Sequence, residues 1–372
     1  MLRVIDLTSF IGAYAARLFA EQGHEVIRVE PPEGDELRRL PPFLRDKQDL
    51  EHGAYHQFLN SGKKSVTVDV DSDTGKKILH DLLGQADVLL ASMPCDEPSC
   101  LAANPKLVLT KIIDDAPELC AVARSGLMSL TGHPDRAPVT LGGHVPHLAV
   151  GIYVAVATAA ALLARKSSGR GLVATVSVRD SLASFVEQAM VEYSFSGTIT
   201  ERRGSRGAIT AVSGAMPCKD GHWVISQIHR PGRWSKFVEW VRDPELSTDP
   251  SLAEEKNQLK RRDFIMQRLD NWAKRFTKTE LVEQAQRLHF PASPVSTPLD
   301  LVSDPQLIAR GFLTEIHHPE FGNINFPQGA IASILGTRLS PAPTLGEHNE
   351  QILSTLGHAP SHRENLGTAA GK

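Results

Sequence analysis

The sequence predicts an α/β fold with a mostly parallel sheet, accompanied by a smaller α+β domain, and three observations carry that prediction. Residues 3–30 read as strand, helix and strand, the repeating unit of a parallel sheet. Strand and helix patterns go on alternating as far as residue 113. After a polar, basic stretch, GTITERRGSRG, the texture changes to charged amphipathic helices with a short hairpin. A length of 372 residues exceeds what a single hydrophobic core usually serves, so two domains are expected.

Taken in order, RVIDLT at 3–8 is strand-like and ends at a helix-capping residue type. Residues 12–22 form a helix that Gly23 stops, and HEVIRVE at 24–30 is the second strand, closed by Pro31-Pro32. The first turn, Ser9-Phe10-Ile11-Gly12-Ala13-Tyr14, has one glycine where a dinucleotide site needs three, although Glu30 stands where its acid would. A dinucleotide is therefore not expected. KSVTVDV at 64–70 alternates as a strand, 74–83 reads as a helix, and strands follow at 86–91 and 107–113. Residues 148–164 are uncharged and rich in alanine, which predicts a core helix apolar on every side. The run is shorter than the roughly 20 residues of a membrane span, so no membrane partner is expected. A strand at 172–178 and a helix at 181–193 come next. Later, Asp220-Gly221 signals a tight hairpin turn.

The formal charge of −3 removes the case for nucleic acid as the main partner. MLRVIDLTSF lacks a signal-peptide core, so a cytoplasmic location is expected. The four cysteines (95, 100, 120 and 218) form no paired CxxC set and are expected to be reduced. His144 and His147, with His133 nearby, make a His-x-x-His pair without a third ligand of evident spacing, so no metal is expected.

Nine segments in order (IDLT, YAARLFAEQGHEVIRVEPPEGDELRR, LNSGKKSVTVDV, ADVLLA, SGLMSLTGHPD, ALLARKSSGRG, PASPVS, DPQLIARGF, PTLGEHNEQIL) resemble the class III CoA-transferases of the CaiB/BaiF type, from residue 2 to about 357. The resemblance implies a large Rossmann-like domain built from both chain ends, a small middle domain, and two chains interlocked as rings. On that basis the domains are expected at 1–197, 208–300 and 301–372, with a linker at 198–207. It also implies coenzyme A as ligand, with Arg38, Asn60, Lys63 and Lys64 at the positions that hold it.

In the family an aspartate before the central helix attacks an acyl-CoA thioester and forms an anhydride, covalent catalysis that divides one hard exchange into easier ones. The family pattern there is Asp-Leu-x-x-Gly, and here it is His147-Leu148-Ala149-Val150-Gly151. Imidazole has no oxygen with which to form that anhydride. The histidine motif of the racemase branch is also missing from 114–120, and the family's CoA-holding Glu-Asn-Phe-Arg-Pro-Gly is replaced by Ala91-Ser92-Met93-Pro94-Cys95-Asp96. The first expectation is a non-catalytic subunit that acts beside an aspartate-bearing paralogue. Alternatives are an acyl-CoA isomerase, racemase, lyase or hydrolase with His147 as acid–base, whether alone or as a homodimer, and a CoA-binding assembly protein without turnover.

Overall fold

The computed structural model describes residues 1–93, 95–113, 116–207, 210–226, 232–329, 331 and 339–358. The chain divides into two compact units, one of Met1–Leu127, Leu141–Val191 and Pro305–Lys372, the other of Met128–Thr140 and Glu192–Asp304. Met128–Thr140, which sequence reasoning placed with the N-terminal part, thus groups with the second unit.

The first unit is built on strands β1 (Arg3–Leu7), β2 (Glu25–Glu30), β3 (Lys64–Thr67), β4 (Val88–Ala91), β5 (Val108–Ile113) and β6 (Leu172–Ser177). They form one parallel sheet in the order β3-β2-β1-β4-β5-β6, so the direction of winding reverses between β1 and β4. Helices α1 (Phe10–Glu21), α2 (Ala54–Asn60), α3 (Asp73–Gly84), α4 (Glu97–Ala103), α5 (Glu118–Arg124) and α6 (Val145–Ser168) join them. Val4, Ile5, Val88, Leu89, Leu90, Val108 and Leu109 are 0% exposed, which is why these strands read as near-continuous apolar runs. The predicted helix over 181–193 is broken into Val178–Ala183, a short 3₁₀ turn and Glu187–Ser196.

The C-terminal segment returns to this unit and covers the edge strand. Asn349 accepts a hydrogen bond from the Thr67 amide at 2.8 Å and donates to its hydroxyl at 2.7 Å, while the Gly346 amide donates to Ser65 Oγ at 2.9 Å. Ile352 and Leu353 then enter the core. The LGEHN motif therefore satisfies polar groups that an open sheet edge would leave unpaired.

The second unit has a three-stranded antiparallel sheet of β7 (Ser213–Cys218), β8 (Gly221–Ser226) and β9 (Ala292–Pro294), with β8 in the middle. Cys218 pairs with Gly221, so the hairpin turns on Lys219-Asp220, one residue before the predicted pair. Its core is aromatic: Trp223, Phe237, Trp272 and Phe290 are buried together, with Trp240 packed against them.

α6 corrects the largest sequence-based expectation, because it is not buried on all sides. Pro146, Val150, Gly151, Val154, Thr158 and Ala161 form one buried stripe. Gly151 allows close approach to α1, since a Cβ there would lie 3.0 Å from Tyr14 Cβ and 3.3 Å from the Ala15 nitrogen. Thr158 Oγ1 meets Thr110 Oγ1 of β5 at 2.8 Å, so this polar pair is satisfied inside the core. The opposite stripe is apolar but exposed: Ile152 is 51% exposed, Val156 61% and Leu163 67%. Among the described residues α6 is the one helix long and apolar enough to cross a membrane, and its inner stripe packs instead on α1, β5 and β6.

Candidate functional site

His147 lies in the first turn of α6, which brings it to a cluster of helix starts in the first unit. His144 precedes the helix in a left-handed conformation (φ 52°), turning its ring toward the start of α5. Glu118, the first residue of α5, has its carboxylate 2.9 Å from His144 Nδ1 and 3.6 Å from His147 Nδ1. The two imidazole rings lie 8° from parallel with centroids 6.1 Å apart. Phe10, the first residue of α1, packs on both rings at 4.7 and 5.1 Å, and Tyr55 meets His144 edge-on at 5.2 Å. The apolar wall sits on one side. The side chains of His147, Glu118 and His144 are 12%, 24% and 39% exposed, so the other side opens toward solvent.

Sequence reasoning missed Glu118. The signal available was an acid in the first turn of a helix after β5, a placement that many helices share for electrostatic reasons. Its meeting with two histidines 26 and 29 residues later depends on the tertiary fold. His133 belongs to the second unit, 3.7 Å from Asp135. Asp114 and Asp115, where the racemase motif was sought, lie outside the described residues.

The four expected CoA-binding residues have geometries of a different kind. Arg38 is 0% exposed and donates to both Glu30 oxygens at 2.6 and 2.8 Å, to Glu51 at 2.8 Å and to the Pro343 carbonyl at 3.2 Å. Its fork is engaged with carboxylates inside the protein, which counts against the phosphate contact expected of it. Lys63 is likewise buried and donates to Asp6 at 2.8 Å, to the Ala13 carbonyl at 3.0 Å and to Asn60 Oδ1 at 3.0 Å. Asn60 also contacts the His56 ring at 3.0 Å. Lys64 begins β3 and pairs with Glu25 at 2.8 Å, on the amino-end edge of the sheet. Ligands of open parallel sheets bind at the opposite, carboxyl-end edge.

Apart from the Lys64–Glu25 pair, these contacts form a buried ionic network under the sheet's carboxyl end. Burial alone would raise the Asp6 carboxyl, but Lys63 and Arg28 outweigh it and hold it below the ordinary range. Burial pulls Lys63 down to about 8, against the opposing attraction of Asp6. Burial also raises Glu30, and hydrogen bonding and charge from Arg38 outweigh that, so its carboxyl too is held low. His56 is pushed well below its ordinary value, first by burial and then by Arg38 beside it.

The folded state thus keeps His56 neutral while the unfolded chain protonates it near pH 6.5. Below that value the unfolded state binds more protons, so stability falls as pH drops. In His56→Gln, the decline in melting temperature between pH 7 and pH 5 should be shallower than in the wild type. Identical slopes would remove His56 from the network's pH response.

A crevice of about 330 Å³ opens at the carboxyl ends of the strands, lined by Leu7, Glu30, Pro31, Glu33, Asp69, Asp71 and others. Among the described residues, no lysine or arginine lines it. At the winding reversal itself, Ser92 after β4 accepts the Ser9 amide proton at 2.6 Å and so bridges the two strand ends.

Helices on a 3-2-1-4-5-6 parallel sheet, a return of the C-terminus to the edge strand and a long helix starting at the site define a Rossmann-like α/β architecture. Residues 2–349 match the model for CoA-transferase family III, and the chain belongs to that family. It is 27% identical to the succinyl-CoA:mesaconate CoA-transferase of Haloarcula hispanica over 96% of both chains. It is also 27% identical to the succinyl-CoA:(R)-benzylsuccinate CoA-transferase subunit BbsE of Thauera aromatica, covering 98% of this chain and 95% of that one. In fold it is similar to a CaiB/BaiF family protein from Brucella suis, with a TM-score of 0.85 and 24% identity over 95% of this chain and 98% of that one.

Proposed function

We propose that this chain is the non-catalytic subunit of a heteromeric class III CoA-transferase, one that shapes the active site of an aspartate-bearing partner of the same family. The observation that carries the proposal is the character of α6. Its first turn presents His147 where the family resemblance puts the nucleophilic aspartate, and its outer stripe of Ile152, Val156 and Leu163 is apolar and exposed. A helix apolar on all sides is normally covered on all sides. Exposed apolar patches of this kind mark protein interfaces, and a second family chain, threaded as the resemblance implies, is the cover we assign.

Two further observations support this reading. The acidic crevice at the sheet's carboxyl end repels a polyanion such as coenzyme A, and the nearby cations Arg38 and Lys63 are engaged in internal ion pairs. Among relatives, BbsE is itself named as a subunit of a CoA-transferase.

Purified alone, the chain should exchange no CoA between an acyl-CoA and a free carboxylic acid. Co-expressed with an aspartate-bearing family member from the same source, it should co-purify and the complex should be active. Transferase activity from the chain alone would defeat the proposal, as would a well-behaved monomer that binds no family partner.

A further inference from the structure

From the convergence of Glu118, His144 and His147, we infer a binding site for a divalent zinc-class metal ion at the start of α6. Sequence spacing offered two histidines and no third ligand; the fold supplies a carboxylate from α5. One donor atom from each residue can be chosen so that all three lie within 4.8 Å of one another, and among the described residues this is the one such group of three.

The distances suit the ion. A tetrahedral zinc with bonds of about 2.0–2.1 Å holds its ligands about 3.3 Å apart. Glu118 Oε2 lies 2.9 Å from His144 Nδ1 and 3.6 Å from His147 Nδ1, which brackets that separation. The third separation, between the two imidazoles, is no more than 4.8 Å.

The donor set points the same way. Two imidazoles and one carboxylate suit a borderline ion such as Zn²⁺, whereas Mg²⁺ and Ca²⁺ favour sites made of oxygens. One carboxylate offsets half of the ion's charge in a place walled by Phe10 and Tyr55. Three protein ligands leave a fourth tetrahedral position, and the partial exposure of His144 and Glu118 puts it on the open side, for water or a ligand carboxylate. The site stands independently of the assembly proposed above, since all three ligands belong to one chain.

The test uses the untagged full chain stripped with a chelator. Titration with Zn²⁺ followed by calorimetry should show one ion per chain, and Co²⁺ in its place should give the visible absorption of a tetrahedral nitrogen–oxygen site. Losing a partner that merely supports a ligand costs about 10- to 100-fold in affinity. Glu118→Gln, His144→Ala and His147→Ala should each lose at least that much, with unfolding temperatures measured without metal to confirm that each variant folds. Absence of stoichiometric Zn²⁺ binding by the wild-type chain would overturn the inference without reference to any variant. Binding that all three folded variants retain at full strength would overturn it as well.

Discussion

Arg38→Met is expected to destabilise the α/β unit by about 3–5 kcal/mol, the range for removing one partner of a buried ion pair. The guanidinium is fully buried and spans Glu30, Glu51 and the Pro343 carbonyl, tying β2 to the C-terminal return. Methionine fills similar volume but leaves Glu30 with the Ser65 hydroxyl at 2.8 Å as its hydrogen-bond donor. The variant should also respond differently to acid. Arg38 holds the Glu30 carboxyl low, so this stabilisation is complete above the ordinary glutamate value and is lost as pH falls through the lower folded one. Arg38→Met removes that acid-side slope. Lys64→Met is the control, because its pair with Glu25 is partly exposed and should contribute less than about 1 kcal/mol. Urea unfolding followed by circular dichroism measures both. An Arg38→Met protein as stable as wild type, yet weaker in CoA binding, would restore the phosphate contact that sequence reasoning assigned.

In the co-expressed complex, changing the partner's aspartate to alanine should reduce turnover on the order of 10⁴- to 10⁶-fold, the scale of losing a covalent nucleophile. His147→Ala in this chain should cost less than the roughly 10²-fold that marks loss of a general acid or base. The asymmetry follows from chemistry. A carboxylate attacks a thioester carbonyl, expels the CoA thiolate and is left acylated as a mixed anhydride, while an imidazole in the same place gives an acyl-imidazole open to water. A loss of 10²–10⁴-fold with His147→Ala would move this chain to the acid–base reading.

The alternation of strand and helix through residue 113 was legible because buried parallel strands are short apolar runs between glycine- and proline-marked turns. Their order in the sheet was not, since no local pattern records which strand lies beside β1. α6 was misread for a physical reason. Apolar composition reports that a surface will be covered, and it is silent on whether the cover is the chain's own core or another molecule. Arg38 and Lys63 were read as ligand contacts because the family resemblance puts such contacts at their positions. The contrary signal lay in Asp6, between Ile5 and Leu7, and Glu30, between Val29 and Pro31: acids set among apolar strand residues, which when buried require internal cations. Glu118 was invisible to spacing, because its chemistry depends on residues brought together only by the fold.

The most direct measurement is mass analysis of the intact, purified chain after incubation with a thioester donor, followed by hydroxylamine trapping of any activated carboxyl. The account predicts an unmodified mass and no hydroxamate, with the adduct appearing only on an aspartate-bearing partner when one is present. A covalent acyl or CoA adduct on this chain alone, at Glu118 or at any other side chain, would contradict it.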